Sequence, residues 1–245
     1  MFSKSLLVTA LTILLLISCK AQSNQSTNSL PKVENYSYGE LDLKVIPFGM
    51  GKEIKIGELL TNGIIQFNWP EINPETIENG SIFMTSLKSA LVGMSYCKKD
   101  QIEEVSKDCK VVNTQYIYLY KNDKQVGVLF PATERALLDN KPANMYSNLT
   151  LGSSLSWFYS DGTCNFKGNC IEKKEWTGKY NFDSQRIYDV RLHKGWNMVV
   201  HTLAEIEEFK DENGIGKLER KVILKSVDKI PDNIKWHIKT FVKLD

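Results

Sequence analysis

The chain has 245 residues, and 31 Lys and Arg against 29 Asp and Glu leave a formal charge of +2 at pH 7. Because nucleic-acid-binding domains concentrate basic residues on one face, this near-neutral balance argues against a dedicated nucleic-acid binder. A chain of this length can bury a sizeable core, either in one large domain or in two small ones.

The N-terminus has the layout of a secretory signal peptide. One positive charge, Lys4, precedes the apolar run "LLVTALTILLLIS". A helix that spans a membrane needs about 20 apolar residues, and this run is shorter. The pattern therefore predicts that residues 1–18 are a leader that is removed.

The leader ends in the tetrapeptide "LISC", in which a small residue precedes Cys19. This junction resembles the lipobox of bacterial lipoproteins, whose cysteine is acylated and becomes the new N-terminus. The resemblance implies that Cys19 carries the lipid and holds the protein at a membrane, since stable anchoring needs more than one acyl chain. Lys20 follows in place of the Asp that retains enterobacterial lipoproteins in the inner membrane, which favours the outer membrane. The alternative is an ordinary signal peptide cut elsewhere, such as after Ala21.

Residues 19–38 are predicted to be the lipidated cysteine and a flexible tether. The segment is rich in Ser, Asn and Gln, and such a composition does not bury enough apolar surface to fold. With its leader, lipobox and tether, the chain resembles the single-domain lipoproteins of the Bacteroidota envelope. That resemblance implies a location in the cell envelope and concerns the leader and tether, so it indicates no family for residues 39–245.

Residues 39–245 are predicted to form an antiparallel β-sandwich with one or two short helices. Many short alternating apolar segments are separated by turn residues roughly every ten positions, which is typical of sandwiches. The clearest hairpin is "TQYIYLYKNDKQVGVLF", with its turn at Asn122 and Asp123, and a second is predicted for "RIYDVRLHKGWNMVVHTL". A short helix is predicted within residues 131–142, while residues 82–96 fit either a helix or a strand.

Four cysteines follow the leader, and an even number in an exported protein predicts disulfide bonds because the periplasm oxidises thiols. They are Cys97, Cys109, Cys164 and Cys170. Each sequential pair brackets a polar segment, so the pattern favours Cys97 with Cys109 and Cys164 with Cys170 among the three pairings. A zinc site is disfavoured because its cysteine pairs normally lie two to four residues apart.

The sequence contains no convincing catalytic or cofactor motif. The three histidines, His193, His201 and His237, belong to no metal-binding or triad pattern. Residues 152–154 lack the second glycine of a nucleophile elbow. Residues 211–216 resemble a calcium loop only faintly, since Val222 stands where a bidentate Glu is required, and they predict a hairpin turn. We therefore expect no metal and no cofactor.

The aromatic residues are the best candidates for ligand binding. A β-sandwich that exposes Trp and Tyr beside polar groups can hold the apolar face of a sugar ring, and Trp157, Tyr159 and Trp176 are the predicted contacts. The alternative is that these side chains fill the core, where aromatic residues bury large areas.

The sequence as a whole predicts a membrane-anchored envelope lipoprotein that acts as a non-catalytic binding or accessory module for a protein or a glycan. One alternative is an immunity-type inhibitor in the periplasm. Another is a glycan-active hydrolase that uses paired carboxylates, either Glu134 with Asp139 or Asp161 with Asp183.

Overall fold

A computed structural model describes residues 30–47, 53–76, 83–92, 97–106, 109–114, 116–140, 149–176, 180–211 and 214–242. The predicted leader and Cys19 lie outside these residues, so the lipid anchor stays a prediction. Strands dominate the described chain, which confirms the prediction of a mainly β fold. None of the described helices is long and apolar enough to cross a membrane.

The strands and the one α-helix of the described chain are numbered in chain order. They are β1 (Leu41–Val45), β2 (Ile54–Leu59), β3 (Ile65–Phe67), β4 (Thr85–Ser86), α1 (Leu87–Val92), β5 (Ile102–Val105), β6 (Lys110–Thr114), β7 (Ile117–Lys121), β8 (Lys124–Ala132), β9 (Gly152–Ser160), β10 (Cys164–Trp176), β11 (Tyr180–Leu192), β12 (Gly195–Asp211), β13 (Gly214–Val227) and β14 (Lys235–Thr240). A 3₁₀ helix, Arg135–Asp139, follows β8 within the segment predicted to be helical.

All the strands join in one hydrogen-bonded network that has two parts. The first part has the order β3-β2-β1-β7-β8-β14, and the second has the order β6-β9-β12-β13-β11-β10-β5, with β4 beside β6. The pair Ala132 and Ser154 links the two parts between β8 and β9. Among the described strands, every pairing is antiparallel except that of β11 with β13.

The hairpin of β7 and β8 is confirmed. Its turn residues have positive φ angles, 50° at Asn122 and 58° at Asp123. Asn and Asp tolerate this left-handed conformation, which the tightest hairpin turns require. The local sequence therefore determines this hairpin.

The second predicted hairpin, between β11 and β12, is wrong. β13 lies between these strands, paired in parallel with β11 from Gln185 to Asp189 and antiparallel with β12. β11 instead forms a long hairpin with β10, which begins with the pair Cys164 and Leu192 and ends with Trp176 and Tyr180. Apolar alternation identifies strands, but it does not reveal that a later strand returns between two earlier ones.

The four cysteines form two disulfides, as predicted, but the predicted pairing is wrong. Cys97 is bonded to Cys170 with 5.0 Å between the Cα atoms, and Cys109 to Cys164 with 5.7 Å. Cys164 and Cys170 lie six residues apart in β10, which separates their Cα atoms by about 20 Å in an extended strand. A disulfide requires a separation below about 7 Å, so the local bond cannot form.

Strands β9 and β12 separate two hydrophobic cores. The first core lies between the two parts of the network, as between the sheets of a sandwich, and includes Leu43, Ile117, Leu155, Trp157 and Trp236. The second core lies on the opposite face of β9 and β12 and includes Phe158, Phe166, Tyr188, Val199 and Leu203. The helix α1 covers the second core with three buried side chains. Successive side chains along β9 and β12 therefore point alternately into the first and the second core.

The packed part of the chain begins earlier than residue 39, the predicted boundary. Lys32 pairs with Ile64, and Val33 is 6% exposed in the first core. Tyr36 and Tyr38 pack against the same core. Although the segment is rich in Ser and Asn, Val33, Tyr36 and Tyr38 pack against the domain. Residues 32–38 therefore belong to the packed domain and not to the tether.

Candidate functional site

Six aromatic side chains form a cluster on the first-core side of β9 and β12. They are Phe67, Trp69, Trp157, Tyr159, Trp196 and Trp236. The ring centroids of Trp69 and Trp196 are 4.7 Å apart, and those of Trp69 and Trp157 are 5.3 Å apart. Such aromatic pairs each add about 1 kcal/mol beyond area burial, so the ring contacts stabilise the cluster.

Strand alternation and register place these rings together. Trp157 and Tyr159 are two residues apart in β9 and therefore share a face. In the pairing of β9 with β12, Trp196 lies opposite Tyr159, and Met198 lies opposite Trp157. Trp69 comes from residues 68–76, a segment after β3 that lies over this face and is called the strap here.

Two hydrogen bonds hold the strap on β9 and β12. The Trp196 Nε1–H donates to the carbonyl oxygen of Pro70 at 2.8 Å, and the Tyr159 hydroxyl donates to the carbonyl oxygen of Ile72. Burial, with a smaller contribution from the charge of Glu71, raises the pKa of Tyr159. The hydroxyl therefore stays protonated and remains a donor at neutral pH.

The strap and β12 enclose a cavity of about 320 Å³, called the aromatic cleft here. Rings of Trp69, Trp157 and Trp196 line one side of it. Four other lining residues are polar and are called the rim here: Arg191, His193, Ser226 and Asp228. A concave apolar surface with a few polar groups is the usual form of a small-ligand site.

The rim is shaped by the link between β11 and β12. The Asn197 side chain is 6% exposed; it donates to the carbonyl oxygens of His193 and Gly195 at 2.7 and 2.8 Å, and it accepts from the His193 N–H at 2.9 Å. The N–H of Arg191 donates to Ser226 Oγ at 3.0 Å. These bonds fix the backbone that carries the rim side chains.

The cleft has the chemistry needed to hold a sugar. A sugar ring presents an apolar C–H face, which can lie on an indole, and hydroxyl groups around its edge. On the rim, the Arg191 guanidinium can donate hydrogen bonds and the Asp228 carboxylate can accept them. Within the described ranges, no group of three or more His, Cys, Asp or Glu side chains is arranged to hold a metal ion.

The predicted ligand contacts are only partly brought together. Trp157 lines the aromatic cleft but is 4% exposed, and Tyr159, 2% exposed, lines a neighbouring cavity of about 700 Å³ beside Glu71 and Asp161. The side chain of Trp176 lies outside those that the structure describes. The sequence prediction missed the half-buried Trp69 and Trp196. The available signal is a tryptophan next to a strand end: Trp69 follows β3 and precedes Pro70, and Trp196 follows Gly195 at the start of β12.

The carboxylate pairs proposed for a hydrolase lie outside the aromatic cleft. Asp161 precedes β10, whereas Asp183 pairs with Lys173 nine residues along it, a distance of about 30 Å in extended strand. Glycosidase carboxylates lie within about 10 Å of each other. Glu134 precedes the 3₁₀ helix and Asp139 is its last residue, and the Asp139 carboxylate is bound to Lys239 at 2.9 Å.

Comparison of the chain with models of known protein families gave no match, and comparisons with curated proteins and with solved structures gave none either.

Proposed function

We propose that this protein is a membrane-anchored envelope lipoprotein whose β domain binds a glycan without catalysing a reaction. The observation that supports glycan binding is the aromatic cleft, in which three tryptophans face a rim of hydrogen-bonding groups. The proposal of a lipid on Cys19 rests on the resemblance of the leader to a lipobox. Neither part requires a cofactor.

The size of the cleft favours a glycan over a protein partner. A protein interface buries about 800 Å² on each partner and is usually flat, whereas this site is a concave space of about 320 Å³. A sugar residue can enter such a space and contact the rings of Trp69 and Trp196 while the rest of the chain extends into solvent. The site is thus suited to one or a few sugar residues.

Titration with neutral oligosaccharides tests glycan binding. The full-length protein in detergent is titrated with gluco-, manno-, xylo- and galacto-oligosaccharides, and binding is followed by calorimetry and tryptophan fluorescence. At least one series should bind, and Trp69→Ala or Trp196→Ala should weaken it by about tenfold or more, as expected when a stacking ring is lost.

Trp236→Phe is the matched control, because Trp236 belongs to the aromatic cluster but does not line the cleft. It should change the affinity less than twofold. If no oligosaccharide binds, or if Trp69→Ala and Trp196→Ala bind as the wild type does, the proposal is wrong.

The anchor has its own test, which does not depend on the ligand. With Cys19→Ala, the protein should no longer be labelled by a radioactive fatty acid and should leave the membrane fraction of the cell. Lys20→Ala serves as the control and should stay in the membrane. A labelled, membrane-bound Cys19→Ala protein would exclude the lipid on this cysteine.

A further inference from the structure

Another cavity, called the inner cavity here, lies at the end of the second core and has a volume of about 370 Å³. It is formed by α1 and by strands β6, β8, β9, β12 and β13. It shares no lining residue with the aromatic cleft.

Alternation in β9 and β12 keeps the two sites apart. Trp157 and Met198 point to the aromatic cleft, whereas Ser156 and His201 line the inner cavity on the opposite face. The sheet formed by β9 and β12 therefore separates the aromatic cleft from the inner cavity. A ligand in the inner cavity would be independent of the proposed glycan site.

The side chains of Asn113 and Ser154 offer polar groups to a ligand in the inner cavity. Asn113 and Ser154 line it, and neither side chain has a hydrogen-bond partner within the described ranges. The only described side-chain polar atom that is both sealed from solvent and unpaired is the Tyr188 hydroxyl oxygen. The amide of Asn113 and the hydroxyl of Ser154 are therefore accessible from the cavity, where they can exchange water for a ligand.

The charged groups around the inner cavity are balanced. The Glu219 carboxylate is 2.9 Å from a guanidinium nitrogen of Arg186, and both side chains are largely buried. Burial lowers the pKa of His201, although the charge of Glu219 opposes this effect, so the imidazole is neutral at pH 7. A charged ligand would lose its hydration here without gaining an opposite charge.

The rest of the lining is mostly apolar, and the polar groups of Thr114, Asn140 and Ser156, which also line the cavity, bond to backbone carbonyl oxygens of the protein. Phe158 is 4% exposed, Leu203 3% and Leu224 9%, and all three line the cavity together with Phe130 and Leu91. These side chains favour a ligand with a hydrocarbon or aromatic body.

We propose that the inner cavity binds a small uncharged molecule with an aliphatic or aromatic body and a hydroxyl or amide head group that Asn113 and Ser154 hold by hydrogen bonds.

Four probes with the same aromatic body test this proposal: benzyl alcohol, toluene, benzylamine and benzoate. The full chain with Cys19→Ala, exported and purified without detergent, is labelled with ¹³C in its histidine rings, and each probe is titrated at pH 7. Benzyl alcohol should shift the His201 resonance in a saturable way and bind about fivefold more tightly than toluene, since one hydrogen bond contributes about 1 kcal/mol. The charged probes should bind more weakly than benzyl alcohol. No saturable shift, or equal affinity for benzyl alcohol and toluene, overturns the proposal.

Variants of neighbouring serines in β9 localise the probe. Ser154→Ala should remove the preference for benzyl alcohol over toluene, and Ser154→Leu should fill the cavity and abolish binding of both. Ser153→Ala is the matched control, because the Ser153 hydroxyl bonds to Thr202 on the opposite face of the strand. If Ser154→Ala retains the fivefold preference, the proposed head-group contact is wrong, and this result does not depend on Ser154→Leu folding. Trp196→Ala should leave probe binding unchanged, so the test is separate from that of the glycan site.

Discussion

The indole N–H of Trp196 donates a hydrogen bond to the carbonyl oxygen of Pro70 at 2.8 Å. Trp196 thus has two roles, because its ring lines the aromatic cleft and its nitrogen holds the strap that brings Trp69 to the same cleft. The bond joins residues that are 126 positions apart in the sequence. The position of the strap and the shape of the cleft are therefore coupled.

We expect Trp196→Phe to loosen the strap while keeping an aromatic ring in the cleft. Loss of the hydrogen bond to Pro70 should lower the free energy of unfolding by about 1 kcal/mol and increase amide hydrogen exchange in residues 68–76. Tyr159→Phe removes the other strap bond, to Ile72, and should act in the same way. Urea denaturation and hydrogen exchange measured by mass spectrometry check both variants. Unchanged exchange in the strap of the double variant would show that these bonds do not hold it.

The sequence predicts local structure well where the chain itself carries the signal. The hairpin of β7 and β8 follows from alternating apolar residues and from Asn122 and Asp123, which accept the backbone of a tight turn. The order of β12, β13 and β11 does not follow, because pairing between distant strands depends on the whole packed sheet. The same limit explains why the disulfide residues, but not their partners, could be predicted.

The candidate site shows a similar limit. The aromatic segment around Trp157 predicts a ligand contact there, and Trp157 does line the cleft. Trp69 and Trp196 come from segments whose proximity depends on the strap crossing β12, which no local pattern reveals. The rim residues come from the end of β11, the link to β12 and the end of β13, and they meet because β13 lies between β11 and β12. The sequence thus indicates one aromatic residue of the cleft, Trp157, but not the residues that the fold brings to it from distant segments.

Peptide mapping under non-reducing conditions should find Cys97 joined to Cys170 and Cys109 joined to Cys164. These bonds close loops with sequence separations of 73 and 55 residues. In the chain-entropy model, loops of this size contribute about 4 kcal/mol each to stability. Cys109→Ala with Cys164→Ala should therefore greatly lower the urea midpoint. A peptide joining Cys97 to Cys109 would contradict this arrangement.

We expect the ion pair of Arg186 and Glu219 to stabilise the fold more than a surface pair does. The side chains are 25% and 15% exposed, so Glu219→Gln leaves a largely buried guanidinium without its counter-charge and should cost about 2 kcal/mol. Glu207→Gln is the matched control on the neighbouring strand, because its partner Arg220 is 53% exposed, and it should cost about 0.5 kcal/mol or less. Urea denaturation at pH 7 checks both, and equal losses would show that burial of the first pair has no effect.

Acidification should destabilise the protein through two partly buried histidines, His201 and His237. Burial lowers the pKa of His201 and of His237 in the folded state, so below the ordinary value of about 6.5 the unfolded chain takes up protons that the folded chain does not. The stabilising contribution is present above that value and is lost as the pH falls towards the folded pKa. Around His201, the charges that act on the ring are those of Glu219, which favours protonation, and Arg186, which opposes it.

Thermal or urea unfolding measured between pH 7.5 and pH 5 checks this prediction. His201→Gln should reduce the loss of stability on acidification, and His201→Gln with His237→Gln should reduce it further, because neither glutamine can be protonated in this range. The His237 ring also bonds to the carbonyl oxygen of Ala132 at 3.2 Å, which Gln can preserve by donating from its amide. A wild-type slope in the double variant would show that other groups control the pH dependence of folding.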